Sequence, residues 1–175
     1  MNNRTLIINI ARFIGLILIQ GLILNNILVA GYINPQLYIL FILLLPFETP
    51  KWLLLISAFF IGILVGLFTN SSGAHAAAST LIAFIRPSLI KSLTPKRELE
   101  AGVNPGIHNI SFRWFFFYSL VLISIHHFSL FFLEAFSFNN SLQTLLVSIG
   151  TIACSFILAI ISQYLFPSKR RNIKA

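Results

Sequence analysis

The sequence predicts an all-α membrane protein, a single domain built as a bundle of six transmembrane helices. Three observations carry that expectation. Of the 175 residues, 57% are apolar and only 9% charged, with a mean hydropathy of +0.90. Soluble domains carry about 25% charged residues, and none of this size could hide so much apolar surface. The apolar residues fall in runs bounded by Pro, Gly and Asn, most of them long enough to cross a hydrocarbon core of roughly 30 Å. The basic residues, finally, lie in alternate connections and at the ends of the runs that adjoin them.

Taken in order, the first span is expected over about 6–24, with Arg4 ahead of it and Arg12 placed to snorkel toward the near interface. No small-x-small cleavage pattern follows, so an uncleaved first span is expected rather than a signal peptide. The second, over about 35–47, opens with Asn34-Pro35, a cap followed by proline at the first helical position. Gln36–Phe47 is short for a full crossing, about 18 Å at 1.5 Å per residue. Either Ile27–Ile33 supplies the missing depth or the segment is partly re-entrant. Pro46-Phe47-Glu48-Thr49-Pro50 makes a turn. A hairpin of two spans follows, about 52–68 and 75–86.

Ala58, Gly62 and Gly66 recur every four residues, so they share one face of the third span. Gly73, Ala77 and Thr80, with Ala76 and Ala83 beside them, give the fourth span a comparable face. Small faces let helix backbones approach closely, so the two are expected to meet, or to grip a partner's span at the same seam. In the turn, Asn70, Ser71 and Ser72 are suited to capping the fourth span, and Gly73 to a tight bend. Arg86-Pro87 is expected to end it, because proline disfavours helix in the residue before it. A cytoplasmic loop over 87–111 follows, then spans over about 112–134 and 142–166 and a basic tail over 167–175.

With the amino terminus in the cytoplasm, six spans place all twelve Lys and Arg residues on the inner side and none in the outer connections. That is the positive-inside pattern. The net charge of +8 is therefore a topology signal and not a nucleic-acid surface. The single cysteine, Cys154, excludes an intramolecular disulfide.

His126-His127 with Glu134 is the one cluster that resembles a site. His127 and Glu134 share a helix face but lie about 10.5 Å apart along it, too far to hold one metal directly. A metal or proton site would need partners from other helices, His75 among them. The expectation is instead a structural histidine pair hydrogen-bonded inside the bundle, with no cofactor. No GxSxG, His-Glu-x-x-His or phosphate-cradling glycine loop is present, so an enzyme is not expected.

The stretch GILVGLFTNSSGAHAAASTLIAFIRP resembles the signature of the MreD family of rod shape-determining proteins, which passes through a Ser/Gly turn to His-Ala and an Arg-terminated helix. In that likeness Asn70, Ser72 and His75 mark the turn, and Arg86 and Pro87 the helix end. Asn25-Asn26, Gly31-Tyr32-Ile33-Asn34-Pro35, Tyr38 and Leu43–Phe47 look like the family's early part, and His126-His127-Phe128 with Phe131–Glu134 is a third match. Gly66 stands where family members commonly carry an acidic residue. The resemblance implies a six-helix fold similar to the substrate-binding subunits of energy-coupling-factor transporters. It also implies a non-catalytic role in cell-wall elongation at the bacterial inner membrane, with an MreC-like single-span protein, MreB and the RodA–PBP2 synthase as partners. The alternative is a vitamin-binding subunit of such a transporter, which Ala11 and Gly15 suit as a small-residue docking contact.

The six-span topology is checked by cysteine labelling in a Cys154→Ser background. Ser72→Cys is expected to react with an impermeant reagent in intact cells and Arg97→Cys to stay unlabelled; the reverse pattern refutes the orientation.

Overall fold

The computed structural model describes residues 3–29, 31–94, 104–135 and 141–166, and its regular elements are helices: α1 (Asn3–Leu18), α2 (Ile39–Leu44), α3 (Lys51–Gly66), α4 (Ser72–Leu93), α5 (Phe112–Ala135) and α6 (Ser141–Leu165). Four stretches are long and apolar enough to cross a membrane: Asn3–Asn26, Ser72–Leu93, Phe112–Glu134 and Leu145–Leu165. The tail 167–175 and loop positions 95–103, with Lys96 and Arg97, lie outside the described residues.

The six expected spans are thus present in part. α3 has 16 residues, about 24 Å of helix. The span expected over 35–47 is corrected more sharply, because only Ile39–Leu44 is helical, about 9 Å. Residues 34–37 ahead of it form no helix, and every residue of Ile39–Leu44 is buried. Leu45 is extended ahead of Pro46, which ends the helix, and at its start the amides of Gln36 and Leu37 are held by Ser155 and Gln20 in a non-helical segment. α2 runs antiparallel to α1: Leu37 meets Gln20, and the Leu44 carbonyl meets Arg12, eight residues earlier in the chain.

α1 does not continue as a plain helix to Leu24. It widens into a π-helical turn over Ile19–Ile23, then a 3₁₀ turn over Leu24–Asn26. Such turns are one-residue adjustments commonly tied to a side chain's task, and here the side chain is Gln20, aimed at the chain ahead of α2. After α1 the chain folds back on itself through paired hydrogen bonds between Val29 and Ile33, with Gly31 at φ +80°. Ile33 packs on Gly150 of α6, where an added Cβ would sit 2.6 Å from its Cδ1.

α3 and α4 form the tightest helix pair. A Cβ at Gly62 would lie 2.6 Å from Ala76 Cα, and one at Gly66 would lie 2.3 Å from Ser72 Cα. With Ala58 buried one turn earlier, the α3 face meets α4 backbone to backbone. The face of α4 that receives it is Ser72 and Ala76, not the expected Gly73, Ala77 and Thr80. Gly73 has open space where a Cβ would go, Ala77 is exposed, and Thr80 bonds back to the Ala76 carbonyl. The expected stripe was set one residue off because the turn closes early: Ser71 N donates to Gly66 O, and Asn70, not Gly73, takes the left-handed conformation at φ 56°. This is a Schellman-type closure, for which asparagine substitutes for glycine. Nor do the turn residues cap α4 through their side chains.

α4 also fails to stop at Arg86-Pro87. It continues to Leu93 with Pro87 inside. Proline removes the bond to the carbonyl four residues back, at a cost near 3 kcal/mol. The extra two turns offset this by burying Ile90 and carrying Thr94 to Trp114 Nε1, which donates to Thr94 Oγ1 at 2.9 Å.

Gly62→Leu is expected to force α3 off α4 and cost about 1–3 kcal/mol, whereas Gly73→Ala, entering open space in a helix, is expected to be neutral or stabilising by up to about 1 kcal/mol. Thermal unfolding of the purified protein in detergent reads both.

Candidate functional site

A six-residue helix satisfies few of its own terminal amides and carbonyls: Leu40 N and Phe41 N reach Leu37 O and Tyr38 O, and the buried groups that remain must be satisfied by something else. At the end of α2 the carbonyls are taken one by one. Tyr118 Oη donates to Leu43 O at 2.9 Å, Arg12 to Leu44 O at 3.3 Å, and the Arg86 guanidinium to Leu45 O. Arg86 Nε also donates to Tyr118 Oη at 2.8 Å, and Trp114 stacks on the Tyr118 ring with centroids 4.6 Å apart. Arg86 is 2% exposed and has no carboxylate partner among the described residues. Its counterpart is the negative end of a helix dipole, the arrangement that favours cations at helix C-termini.

At the other end the amides are taken in the same way. Leu37 N donates to Gln20 Oε1 at 2.7 Å and Gln36 N to Ser155 Oγ at 2.8 Å, while Gln20 Nε2 donates to Pro35 O at 3.1 Å. Helices α1 and α6 thereby hold the entry to α2, and α1, α4 and α5 hold its exit.

The histidines join this network. Tyr38 Oη lies 2.9 Å from His75 Nδ1 and 2.8 Å from His126 Nε2, with Ser79 Oγ at 3.4 Å. His127 Nδ1 lies 2.8 Å from Ile123 O, and its Nε2 lies 3.2 Å from Ser155 Oγ. Because a carbonyl only accepts, His127 Nδ1 carries the proton; Nε2 then accepts from Ser155, which accepts from Gln36 N. With neutral imidazoles, His126 Nε2–H donates to Tyr38, and Tyr38 donates to His75 Nδ1. His75 Nε2–H then turns toward Glu134 Oε1, 3.9 Å away. This assignment leaves no imidazole N–H inside the bundle facing nothing, which is the costly arrangement.

His75 lies in the first turn of α4, is 1% exposed and shares Tyr38 with His126. The structure thus brings together His75, His126 and Glu134, with Asn70 and Gly73 lining the same cavity as His75 and Glu134, and separately Arg86 with α2, while Ala77 and Thr80 stand apart from both. No group of three or more His, Cys, Asp or Glu side chains suited to a metal ion occurs among the described residues. Gln20, Gln36, Tyr38, Ser155 and Tyr118 were not foreseen as a network. Their signal was available: each is a strong hydrogen-bonding side chain inside an otherwise apolar run.

Beyond the histidines the bundle opens into a wide-mouthed pocket of about 650 Å³, lined by Tyr32, Asn34 and Gln36, the 69–75 turn and the end of α5, with His75 and Glu134 in its wall. Ser71 hydrogen-bonds to the Glu134 carboxylate and also pairs with Thr69 Oγ1 at 2.8 Å.

Fold and site define an all-helical bundle, with four helices able to cross a membrane, built around a short buried helix and a polar cavity at one end. Comparison of the chain with family models, with curated proteins and with solved structures finds no match.

Tyr38→Phe removes the hydroxyl that two imidazoles share and is expected to lower stability by about 1–3 kcal/mol. Arg86→Leu, which strands Leu45 O and Tyr118, is expected to cost more. Denaturation in detergent ranks the two, and a smaller loss for Arg86→Leu would contradict the capping role.

Proposed function

We propose that the chain is an MreD-like, non-catalytic component of the cell-wall elongation machinery in the bacterial inner membrane, with both termini cytoplasmic. In this reading it scaffolds peptidoglycan synthesis together with an MreC-like single-span protein, MreB and RodA–PBP2. One observation carries it. The three separated stretches that hold the family likeness supply the partners of one hydrogen-bonded framework: Tyr38 and Leu43–Leu45 from the first, His75 and Arg86 from the second, His126 and His127 from the third. Short apolar motifs alike by chance have no reason to meet in space. The buried polar groups are used to hold helices together: even the Ser155 hydroxyl, which meets His127 Nε2, is engaged by Gln36 N at the entry to α2, which suits a scaffold.

Gly66 gives this chain its own character. An acidic side chain there would run into the Ser72 backbone, so the α3–α4 turn is closed where relatives of the family would carry a carboxylate. A second reading, the ligand-binding subunit of an energy-coupling-factor transporter, is favoured by the polar cavity beyond His75.

Affinity purification from native membranes is expected to retain a coiled-coil, single-span protein and RodA–PBP2, and depletion is expected to round the cells. Rod shape persisting through depletion would refute the scaffold reading; an energising transporter module in the purified complex would replace it with the second.

A further inference from the structure

We infer that the polar cavity is a binding site for a small hydrophilic molecule bearing a primary ammonium group. The inference rests on the cavity's geometry and is independent of either functional reading above. A volume of about 650 Å³ falls within the range of small-molecule sites, roughly 300–1,000 Å³. The lining has one sign of charge. Among the described residues that line it, Glu134 is the one Asp or Glu and none is Lys or Arg, and the sequence carries no Lys or Arg between Arg113 and Lys169 or between Arg12 and Lys51.

Acceptors are left over in this wall beside the donors of the first turn of α4. Gln36 Oε1 and Asn34 Oδ1, both on cavity-lining residues, are buried and have no hydrogen-bond partner among the described residues. Glu134 is only part-buried and receives Ser71, yet His75 Nε2 stays 3.9 Å away, beyond hydrogen-bond distance. Its carboxylate therefore keeps lone pairs for a further donor. Phe131, one helical turn before Glu134, and Tyr32 add aromatic rings to the same wall. The Glu134 carboxylate, beside two aromatic residues and with the amide oxygens of Asn34 and Gln36 just beneath the wall, favours a cation that donates hydrogen bonds. An ammonium group meets that description. A phosphate or carboxylate would find no cation to receive it. The hydroxyls and amides of Thr69, Asn70 and Ser72 suit hydroxyl or amide groups on the rest of the molecule.

The amine could be free in solution or belong to an aminated lipid headgroup, and the test separates these. The full-length protein is placed in nanodiscs of phosphatidylglycerol and phosphatidylcholine, which contain no primary amine. Binding of glucosamine, of its isosteric neutral partner glucose and of N-acetylglucosamine is then measured by saturation-transfer NMR and calorimetry. Saturable binding of glucosamine is expected, with at least about tenfold weaker binding of the two neutral sugars, as for loss of a charge-assisted bond. Glu134→Gln is expected to weaken glucosamine by a similar factor and leave the melting profile of the protein intact. Phe131→Leu, which keeps an apolar side chain but removes the ring, is expected to weaken it about threefold. It serves as the independent variant should Glu134→Gln prove unstable. Repeating the titration in phosphatidylethanolamine nanodiscs assigns the source. A weaker apparent affinity there means the headgroup competes for the site, and an unchanged one means a soluble amine. Equal binding of glucose and glucosamine, no binding of any amine, or full retention of glucosamine by both variants overturns the inference.

Discussion

The fold depends on satisfying the ends of one short helix. α2 sits where its neighbours exclude water, so each of its terminal amides and carbonyls left unpaired would cost on the order of 1–3 kcal/mol. A long helix meets this demand only at its two distant ends, near polar surroundings. A six-residue helix brings both ends inside. Irregular backbone at such depth is tolerated only when protein encloses it, and here four helices do so with side chains: Arg12 and Gln20 from α1, Arg86 from α4, Tyr118 from α5, Ser155 from α6. Each bond fixes a helix at a particular height relative to α2, which sets the register of the bundle more strictly than interchangeable apolar contacts could.

The close approach of α3 to α4 follows from the same demand. His75 and Arg86 must both reach the α2 segment from a single helix, eleven residues or about 16 Å apart. α4 is therefore held along much of its length and has no freedom to tilt away from its neighbour. α3 accommodates by dispensing with side chains where the two backbones cross, at Gly62 and Gly66. The same constraint accounts for Pro87 within α4: a helix broken at Arg86 would lose the direction that keeps the guanidinium on Leu45 O and delivers Thr94 to Trp114.

Composition, run length and the placement of Lys and Arg made the helical, membrane-like character legible, and the α5 and α6 segments were readable because nothing polar enough to bend them intervenes. α2 was only half legible. Its two prolines marked the ends, and its shortness was visible, but hydropathy cannot distinguish a run that lipid surrounds from one that other helices surround. The α4 face was misjudged for a different reason. Small residues fill nearly every position from Gly73 to Thr80, so the periodicity is degenerate, and a turn that closes at Asn70 shifts the face by one residue. The histidine pair was read as hydrogen-bonded inside the bundle, yet Tyr38 could not be picked out as a partner. A tyrosine in an apolar run is common, and its pairing with residues 37 and 88 positions away is a property of the fold alone.

Hydrogen-bond satisfaction is unequal between the two ends of the bundle, and the inequality follows from where the charges are. At the α2 exit, Arg12 and Arg86 supply more donors than three carbonyls require, so the carbonyls there are covered. At the entry there is no cation, and neutral Gln, Asn, Ser, Tyr and His must each serve several partners with a limited number of protons. Of the five buried polar side-chain atoms without a partner among the described residues, three acceptors, on Asn34, Gln36 and His126, and one donor, Asn25 Nδ2, lie toward the entry, and only one, Asn9 Nδ2, toward the exit. A helix with the polarity of α2 requires acceptors for its amides at the entry and donors for its carbonyls at the exit. Basic residues meet the second need but cannot meet the first. The exit is consequently closed by guanidinium groups, and the entry is left rich in acceptors. The cavity lies at the entry because that is the end where the fold's own polar groups remain only partly used.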